Sequence, residues 1–125
     1  MNKETLMYAA KKAAEHSYHP YSGFSVGAAL LGKSGKVYPG TNIENASFGA
    51  TCCAERVALF GAIAAGEREF SAIAVTAMPC GICRQALSEF APGLTVYVEE
   101  NGAIREFTLG ELFPHSFTLD KETKK

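Results

Sequence analysis

Three cysteines and one glutamate are the residues of this chain whose types and spacing favour metal chemistry. Cys53 and Glu55 stand two positions apart, and Pro79 precedes Cys80 and Cys83 in a Pro-Cys-Gly-Ile-Cys segment. Three thiolates suit a tetrahedral zinc ion, and a site with only three protein ligands leaves a fourth position for water. Glu55 could stand beside that water and take its proton. The pattern therefore predicts a hydrolytic zinc centre with Cys53, Cys80 and Cys83 as ligands and Glu55 as the catalytic acid–base group.

Both cysteine segments lie where we predict that a helix begins. The free N–H groups and partial positive charge of a helix N-terminus lower the pKa of a thiol and favour the bound thiolate. Pro79 suits such a position because its missing N–H donor costs nothing in the first turn. Three thiolates on Zn²⁺ carry a net negative charge. Arg56 is expected to donate to the sulfurs and withdraw part of that charge.

Each of these features also has a simpler interpretation. A single C-x-x-C in a reducing compartment is compatible with a redox pair, or with half of a structural four-cysteine zinc site. Glu55 alone would be an acid that stabilises a helix N-terminus, and Arg56 alone a solvated helix residue. Cys52 is the one cysteine left as a fourth sulfur ligand, and adjacent residues rarely share one ion. The pattern places the ligand two residues before the glutamate, so we expect Cys53, and not Cys52, to bind the metal.

Composition and charge restrict the class of partner. The chain has 125 residues, of which 47% are hydrophobic and 20% charged, and its formal net charge is −1. This length predicts one domain over 1–125. Lys and Arg cluster only at 121–125, which we interpret as a solvated tail, so a small diffusible substrate is favoured over a nucleic-acid polymer. No segment predicts a signal peptide or a membrane span, and a cytoplasmic, reducing location is expected.

The periodicity of apolar residues predicts an α/β domain. We expect helices at 4–17, 53–65 and 81–90, a helical turn at 110–112, and strands at 26–31, 37–41, 71–77, 95–99 and 104–108. The second helix is predicted to have Val57, Phe60 and Ala64 on its apolar side. A hairpin followed by two strand–helix–strand crossovers indicates a three-layer α/β/α sandwich with a mixed sheet of about five strands. The polar segment 42–51 is expected to be an ordered loop that carries function.

Taken in order, these segments resemble the cytidine deaminases of the small, homotetrameric, three-cysteine class. The resemblance covers nearly the whole chain, from 20–29 (PYSGFSVGAA) to 112–114 (LFP). Its most specific parts are 42–48 (NIENASF), 53–56 (CAER) and 79–85 (PCGICRQ). A Cys-x-Glu segment followed by Pro-Cys-x-x-Cys matches the signature of zinc deaminases. Each part alone would be weak evidence, whereas all of them in order are specific.

The resemblance implies a reaction and its catalytic groups. Cys53, Cys80 and Cys83 match the zinc ligands of the family, and Glu55 matches its proton shuttle. The implied reaction is the hydrolytic deamination of cytidine and 2′-deoxycytidine to the uridine products and ammonia, in pyrimidine salvage. Three rival hypotheses stay open. They are a deaminase of a modified nucleoside or nucleoside-like antibiotic, an editing deaminase that acts on polynucleotide, and a non-catalytic structural zinc domain.

The resemblance also implies which residues bind the substrate. Asn42 and Glu44 match the pair that holds the ribose hydroxyls, and Phe24 matches an aromatic that packs against the pyrimidine. In the family, a phenylalanine near the C-terminus reaches into the site of a neighbouring subunit. Phe117 is the best match to that residue here, and a homotetramer with sites at subunit interfaces is the expected assembly.

One segment departs from the family pattern. The connection before the Pro-Cys pair is only Val75-Thr76-Ala77-Met78, and Met78 stands where a small hydroxyl residue is common. This difference concerns the wall of the pocket, and with it the rate or the range of substrates, but it removes no metal ligand. Arg84 and Gln85, on the third predicted helix, are expected to be structural.

Overall fold

A five-stranded mixed sheet lies between two layers of helices in the computed structural model, which describes residues 1–119. The helices are α1 (Lys3–Ala14), α2 (Ala54–Ala64), α3 (Gly81–Phe90) and α4 (Leu109–Leu112), and the strands are β1 (Gly27–Gly32), β2 (Val37–Thr41), β3 (Phe70–Val75), β4 (Thr95–Glu100) and β5 (Ala103–Thr108). Every predicted element is present, with ends displaced by a few residues at most. The predicted tail at 121–125 lies outside the described residues. None of the helices within 1–119 is long and apolar enough to cross a membrane.

The order of the strands explains why two helices share one face. The sheet runs β2-β1-β3-β4-β5, with β1 antiparallel to both β2 and β3, β3 parallel to β4, and β4 antiparallel to β5. Strands β2 and β3 therefore point the same way, with β1 between them. The crossovers through α2 and α3 both join parallel strands and both move in the same direction across the sheet. Right-handed crossovers of this kind place both helices on the same face.

Alternation along the strands gives the domain two apolar layers. Ala28 and Leu30 of β1 pack towards α2 and α3, whereas Ala29 between them packs towards α1. Strand β3 repeats the pattern, because Ile73 and Val75 belong to the first layer and its alanines to the second. Since successive side chains of a strand point to opposite faces, one sheet separates the two layers. The predicted three-layer α/β/α sandwich is confirmed.

The buried face of α2 differs from the prediction. The prediction of Val57, Phe60 and Ala64 as the apolar side is wrong, because Phe60 is 51% exposed and Ala64 is also exposed. The residues buried in α2 are instead Ala54, Glu55, Ala58, Leu59 and Ala62. Small side chains on this face let the helix backbone approach the sheet closely. The side chain with the largest apolar area therefore does not mark the inner face.

Gly40 in β2 sets the distance between α2 and the sheet. A Cβ atom built at Gly40 would lie 2.2 Å from the carbonyl oxygen of Ala54 and 2.5 Å from the backbone nitrogen of Ala58. We expect Gly40→Ala to lower the free energy of unfolding by about 1–3 kcal/mol, the usual cost of overpacking a core. Urea unfolding followed by circular dichroism measures this effect.

Gly61 supplies the matched control for that experiment. It lies in α2, and a Cβ there would meet no atom within 4 Å. Gly61→Ala should stabilise the protein by about 0.5–1 kcal/mol, because alanine loses less backbone entropy in a helix than glycine does. If Gly40→Ala is as harmless as Gly61→Ala, the close approach of α2 to β2 is not what positions this helix.

Candidate metal centre and substrate cleft

Three sulfur atoms converge where helices α2 and α3 begin. Cys53 is the N-cap residue of α2, Cys80 is the N-cap residue of α3, and Cys83 lies in the first turn of α3. The Sγ atoms of all three lie within 4.8 Å of one another, and those of Cys53 and Cys80 are 3.8 Å apart. The two helices lie side by side because their crossovers share a face of the sheet. This packing brings together two segments that are distant in sequence.

The spacing of the sulfurs fits zinc. Two sulfurs bound tetrahedrally at about 2.3 Å from a zinc ion are separated by about 3.8 Å, which is the distance between Cys53 and Cys80. Three soft sulfur donors also favour zinc over magnesium or calcium, which prefer oxygen. Within residues 1–119, no fourth His, Cys, Asp or Glu side chain joins this group. The protein therefore offers three ligands and leaves the fourth position to a non-protein group.

Arg56 lies against the sulfurs, where the sequence predicted it. Its Nη2 atom donates to the Cys53 sulfur over 3.5 Å, and this hydrogen bond raises the pKa of Arg56 above its ordinary value. The Nε atom of Arg56 is buried and has no hydrogen-bond partner among the described residues. A half-buried guanidinium whose inner nitrogen faces sulfur is poorly compensated by neutral thiols, which are weak acceptors. Three thiolates on a divalent ion carry a net negative charge and would provide the partner that this guanidinium lacks.

The three thiols do not lose their protons equally easily. The pKa of Cys80 lies below its ordinary value: burial opposes ionisation, but hydrogen bonds from the backbone of Cys83 and Ile82 and from neighbouring thiols outweigh it. The pKa of Cys83 is strongly raised, first by burial and then by the nearby charge of Glu55. A thiol as buried as that of Cys83 becomes a thiolate when a cation is bound beside it. Metal binding here is therefore coupled to proton release.

Glu55 is a buried carboxylic acid next to the sulfurs. It lies in the first turn of α2 and is only 4% exposed. Burial is the main cause that raises its pKa above the ordinary value, while contacts with its own backbone N–H and with Cys83 act in the opposite direction. A carboxyl group with a raised pKa exchanges protons near neutral pH more readily than an exposed one.

A cleft of about 270 Å³ connects this centre to the predicted substrate residues. Phe24, Asn42 and Glu44 line it together with Glu55, Cys53 and Cys80. The cleft is also lined by residues for which the sequence predicted no role there: Ser22, Val26, Thr51, Cys52 and Ala54. Ala77 lines it too, on the short connection that was expected to form part of the wall. Met78, on the short connection, is 38% exposed and also lies on the wall.

The side chains of Asn42 and Glu44 are already engaged with neighbouring loops. Asn42 Oδ1 accepts from Ser17 Oγ over 2.6 Å and from the Val26 N–H over 2.9 Å, and its Nδ2 donates to the Phe24 carbonyl over 2.8 Å. Glu44 Oε1 accepts from the backbone N–H groups of Tyr21 at 2.9 Å and Ser22 at 3.1 Å. Glu44 Oε2 accepts from the Ser22 hydroxyl. Both side chains are thus fixed in place before any substrate arrives.

Phe117 does not line this cleft. Its side chain is 64% exposed, and its backbone carbonyl accepts from Gln85 Nε2 over 2.8 Å. Arg84, the residue before Gln85, donates to the carbonyls of Pro79 at 2.9 Å and Leu112 at 2.7 Å. Arg84 and Gln85 therefore bind the backbone of the C-terminal segment to α3, at Leu112 and Phe117. The structural role predicted for these two residues is confirmed.

Cys52 lies beside the centre but outside the sulfur group. Its backbone N–H and carbonyl pair with those of Ile43, and burial raises the pKa of its thiol. We expect Cys52→Ser to retain one zinc per chain and Cys53→Ser to lose it, because only Cys53 belongs to the group of three sulfurs. Zinc content by inductively coupled plasma mass spectrometry on the two purified variants measures this. The reverse result would reassign the first ligand to Cys52.

Three sulfurs with no fourth protein ligand among residues 1–119, and a buried carboxyl group that lines the same cleft, define a hydrolytic zinc centre on an α/β/α fold. The profile of the "Cytidine and deoxycytidylate deaminase zinc-binding region" matches residues 1–99 of this chain. The chain therefore belongs to the cytidine and deoxycytidylate deaminase family.

Individual relatives agree with this assignment. The cytidine deaminase of Halalkalibacterium halodurans is 49% identical over 128 aligned positions, which cover 96% of this chain and 97% of that protein. The crystal structure of a cytidine deaminase from Burkholderia pseudomallei superimposes with a TM-score of 0.88 at 48% identity and covers 94% of this chain and 100% of that one. A more distant relative, the blasticidin-S deaminase of Bacillus cereus, is 32% identical over 107 positions, or 74% of this chain and 76% of that protein.

Proposed function

We propose that this protein catalyses the zinc-dependent hydrolytic deamination of cytidine and 2′-deoxycytidine to uridine and 2′-deoxyuridine with release of ammonia. The observation that carries the proposal is the position of Glu55. This buried carboxyl lines the same cleft as the three-sulfur centre and the residues predicted to bind a nucleoside. A purely structural zinc site would be closed by four protein ligands and would need no such carboxyl.

Cys53, Cys80 and Cys83 hold the zinc ion in this proposal. When bound, zinc supplies a Lewis acid that lowers the pKa of water at its open position. Glu55 accepts a proton from that water and delivers it to ring N3 of the base, while the water oxygen bonds to C4. Glu55 then takes the proton of the hydroxyl now bonded to C4 and passes it to the exocyclic amine. The bond between C4 and that nitrogen breaks, the oxygen on C4 becomes the carbonyl of the product, and ammonia leaves. Arg56 balances the negative charge of the sulfurs throughout.

The hydrogen bonds already made by Asn42 and Glu44 leave a small number of donors and acceptors free to bind the sugar. Asn42 Nδ2 uses one of its two N–H bonds on Phe24, which leaves one donor. Glu44 accepts three hydrogen bonds, which leaves about one of the four acceptor positions of a carboxylate. One free donor and one free acceptor, on two side chains that line the same cleft, match the hydrogen-bonding needs of a sugar hydroxyl. Phe24, 60% exposed at the cleft, packs against the pyrimidine in this proposal.

The assembly forms a further part of the proposal. Phe117 is held by its backbone and does not line its own cleft. Phe48, which is 73% exposed, lines an adjoining pocket that shares Ser22, Glu44 and Thr51 with the cleft. We propose a homotetramer in which Phe117 completes the site of a neighbouring subunit. We also propose a cytoplasmic location, since cysteine thiols stay reduced in a reducing compartment. The proposed reaction would serve pyrimidine salvage. Analytical ultracentrifugation of the wild type measures the assembly.

A nucleoside-like antibiotic is the second candidate substrate. The similarity to blasticidin-S deaminase favours it, and so does the short wall that ends at Met78, because a shorter wall changes the room around the base. Asn42 and Glu44 favour the ordinary nucleoside, since their free hydrogen-bonding positions match a sugar hydroxyl.

Parallel absorbance assays discriminate between these candidates. Cytidine, 2′-deoxycytidine, free cytosine, CMP, adenosine, blasticidin S and a cytosine-containing single-stranded oligonucleotide are offered to the same preparation. We expect rapid turnover of the two cytosine nucleosides and little or none of the other compounds. Turnover of blasticidin S alone would establish the second candidate, and turnover of the oligonucleotide alone would favour an editing enzyme. No turnover of any compound by zinc-loaded protein would refute the proposed reaction.

A further inference from the structure

One hydroxyl group links two residues that the proposed reaction assigns to the substrate. The Ser22 hydroxyl donates to Glu44 Oε2 and accepts from the backbone N–H of Phe24 over 3.0 Å. Ser22 itself lines the cleft. The position of the carboxylate and that of the aromatic residue therefore depend on the same atom, although the sequence analysis gave Ser22 no role.

The turn around Ser22 has few other constraints. Residues 21–24 are all exposed, so little apolar packing holds them. The turn is closed by the Gly23 N–H, which donates to the His19 carbonyl over 3.1 Å, and Gly23 has a positive φ of 70°. Beyond that bond, the described contacts of 21–24 with the rest of the protein are chiefly an edge-to-face contact between the rings of Tyr21 and Phe48 and the hydrogen bonds with Glu44 and Asn42. Segments ordered by exposed hydrogen bonds open at low free-energy cost.

Hydrogen bonding also keeps Glu44 ionised. The Ser22 hydroxyl is the main cause that lowers the pKa of Glu44, with smaller contributions from the backbone N–H groups of Ser22 and Tyr21 and from the charge of His19. An ionised carboxylate is purely an acceptor, so its remaining position can take a hydroxyl proton but cannot donate. Fixing Oε2 fixes the direction in which that position points.

We propose that Ser22 is a positioning residue for substrate binding, which orients Glu44 and Phe24 together through its hydroxyl. This inference rests on the proposed function. Ser22 contacts neither the sulfurs nor Glu55 among the described hydrogen bonds, and the catalytic groups lie on α2 and α3. Loss of its hydroxyl should therefore weaken nucleoside binding and leave the chemical step intact.

Ser22→Ala tests the inference. We expect KM for cytidine to rise about tenfold with kcat within about twofold of wild type, as for loss of a hydrogen bond to a charged group that acts on binding alone. Ser22→Thr, which retains a hydroxyl, should restore most of the affinity. Ser25→Ala is the matched control, because Ser25 donates to the Ala14 carbonyl and has no bond to Glu44. A double mutant with Glu44→Gln should show that the effect of Ser22→Ala is largely lost without the carboxylate.

A second measurement is independent of turnover. Amide exchange of zinc-loaded protein, followed by ¹H–¹⁵N NMR, should show faster exchange of the Phe24 N–H in Ser22→Ala and unchanged exchange in Ser25→Ala. If wild type deaminates cytidine and Ser22→Ala matches it in KM, the inference is wrong and the proposed function stands. If no nucleoside is turned over by wild type, the proposed function fails, and the Phe24 amide then decides alone whether Ser22 organises this turn. Unchanged Phe24 exchange in Ser22→Ala refutes the inference in either case.

Discussion

Glu55→Ala should lower kcat for cytidine by about 10²–10⁴-fold or more while the protein keeps one zinc ion per chain. The reason is that Glu55 moves both protons in the proposed reaction but belongs to no group of metal ligands. Its side chain is 4% exposed, and its carboxylate form is disfavoured by burial. Removing a buried ionisable group of this kind should leave the free energy of unfolding unchanged or raise it, since active sites often hold groups at a cost in stability.

Glu55→Gln distinguishes the loss of proton transfer from the loss of side-chain volume at this position. Glutamine fills nearly the same volume but cannot shuttle protons, so it should be almost as inactive as alanine. Stopped-flow or steady-state absorbance gives kcat, and metal analysis and thermal unfolding on the same samples give zinc content and stability. A Glu55→Gln variant with near-native kcat would show that another group moves the protons. Loss of zinc in both variants would instead show that Glu55 supports the metal.

Removal of zinc should abolish turnover and lower the melting temperature substantially. Apart from packing in the core, few contacts join the starts of α2 and α3 at the centre, chiefly the Cys53–Cys80 sulfur contact and the interactions of Arg56 and Glu55 with Cys83. Binding of the metal is therefore in part folding free energy. At a zinc concentration about 1,000 times the Kd, the stabilisation is about 4 kcal/mol, which corresponds to about 10 °C or more in Tm for a domain of this size.

Chelation followed by calorimetry measures that effect. Zinc-loaded protein treated with a chelator should lose activity and melt earlier, and added zinc should restore both. Chelator that was saturated with zinc beforehand is the control for effects of the chelator itself. An apo protein that melts at the same temperature as the zinc-loaded one would mean that the packing of α2 against α3 shapes this site without help from the ion.

Residue types and spacing predicted the metal centre well for a physical reason. Thiol ligands, a helix start and a proline just before the N-cap are local features, and each leaves a mark on a few adjacent residues. The relation between the two cysteine segments followed from topology, since two consecutive crossovers in one direction place α2 and α3 on one face. Local pattern and topology together were enough to bring Cys53 to Cys80 and Cys83.

The inner face of α2 and the role of Ser22 depend on contacts between distant segments, which the pattern of residue types along the sequence does not show. The inner face of α2 is made of alanines, Leu59 and Glu55, and it was missed because Phe60 carries more apolar area. What selects that face is the absence of a side chain at Gly40, a residue on another element. Ser22 was missed for a similar reason, because its partner Glu44 lies on a different loop and the sequence does not show that the hydroxyl and the backbone N–H of Ser22 both donate to it.

Zinc K-edge X-ray absorption on the zinc-loaded wild type measures which atoms bind the ion. We expect the three cysteines to bind it, with the fourth position free of protein and close to Glu55. The predicted result is three sulfur scatterers at about 2.3 Å and one oxygen or nitrogen scatterer at a shorter distance, the latter altered when a cytidine-like inhibitor is added. Four sulfur scatterers, unchanged by the inhibitor, would contradict the account.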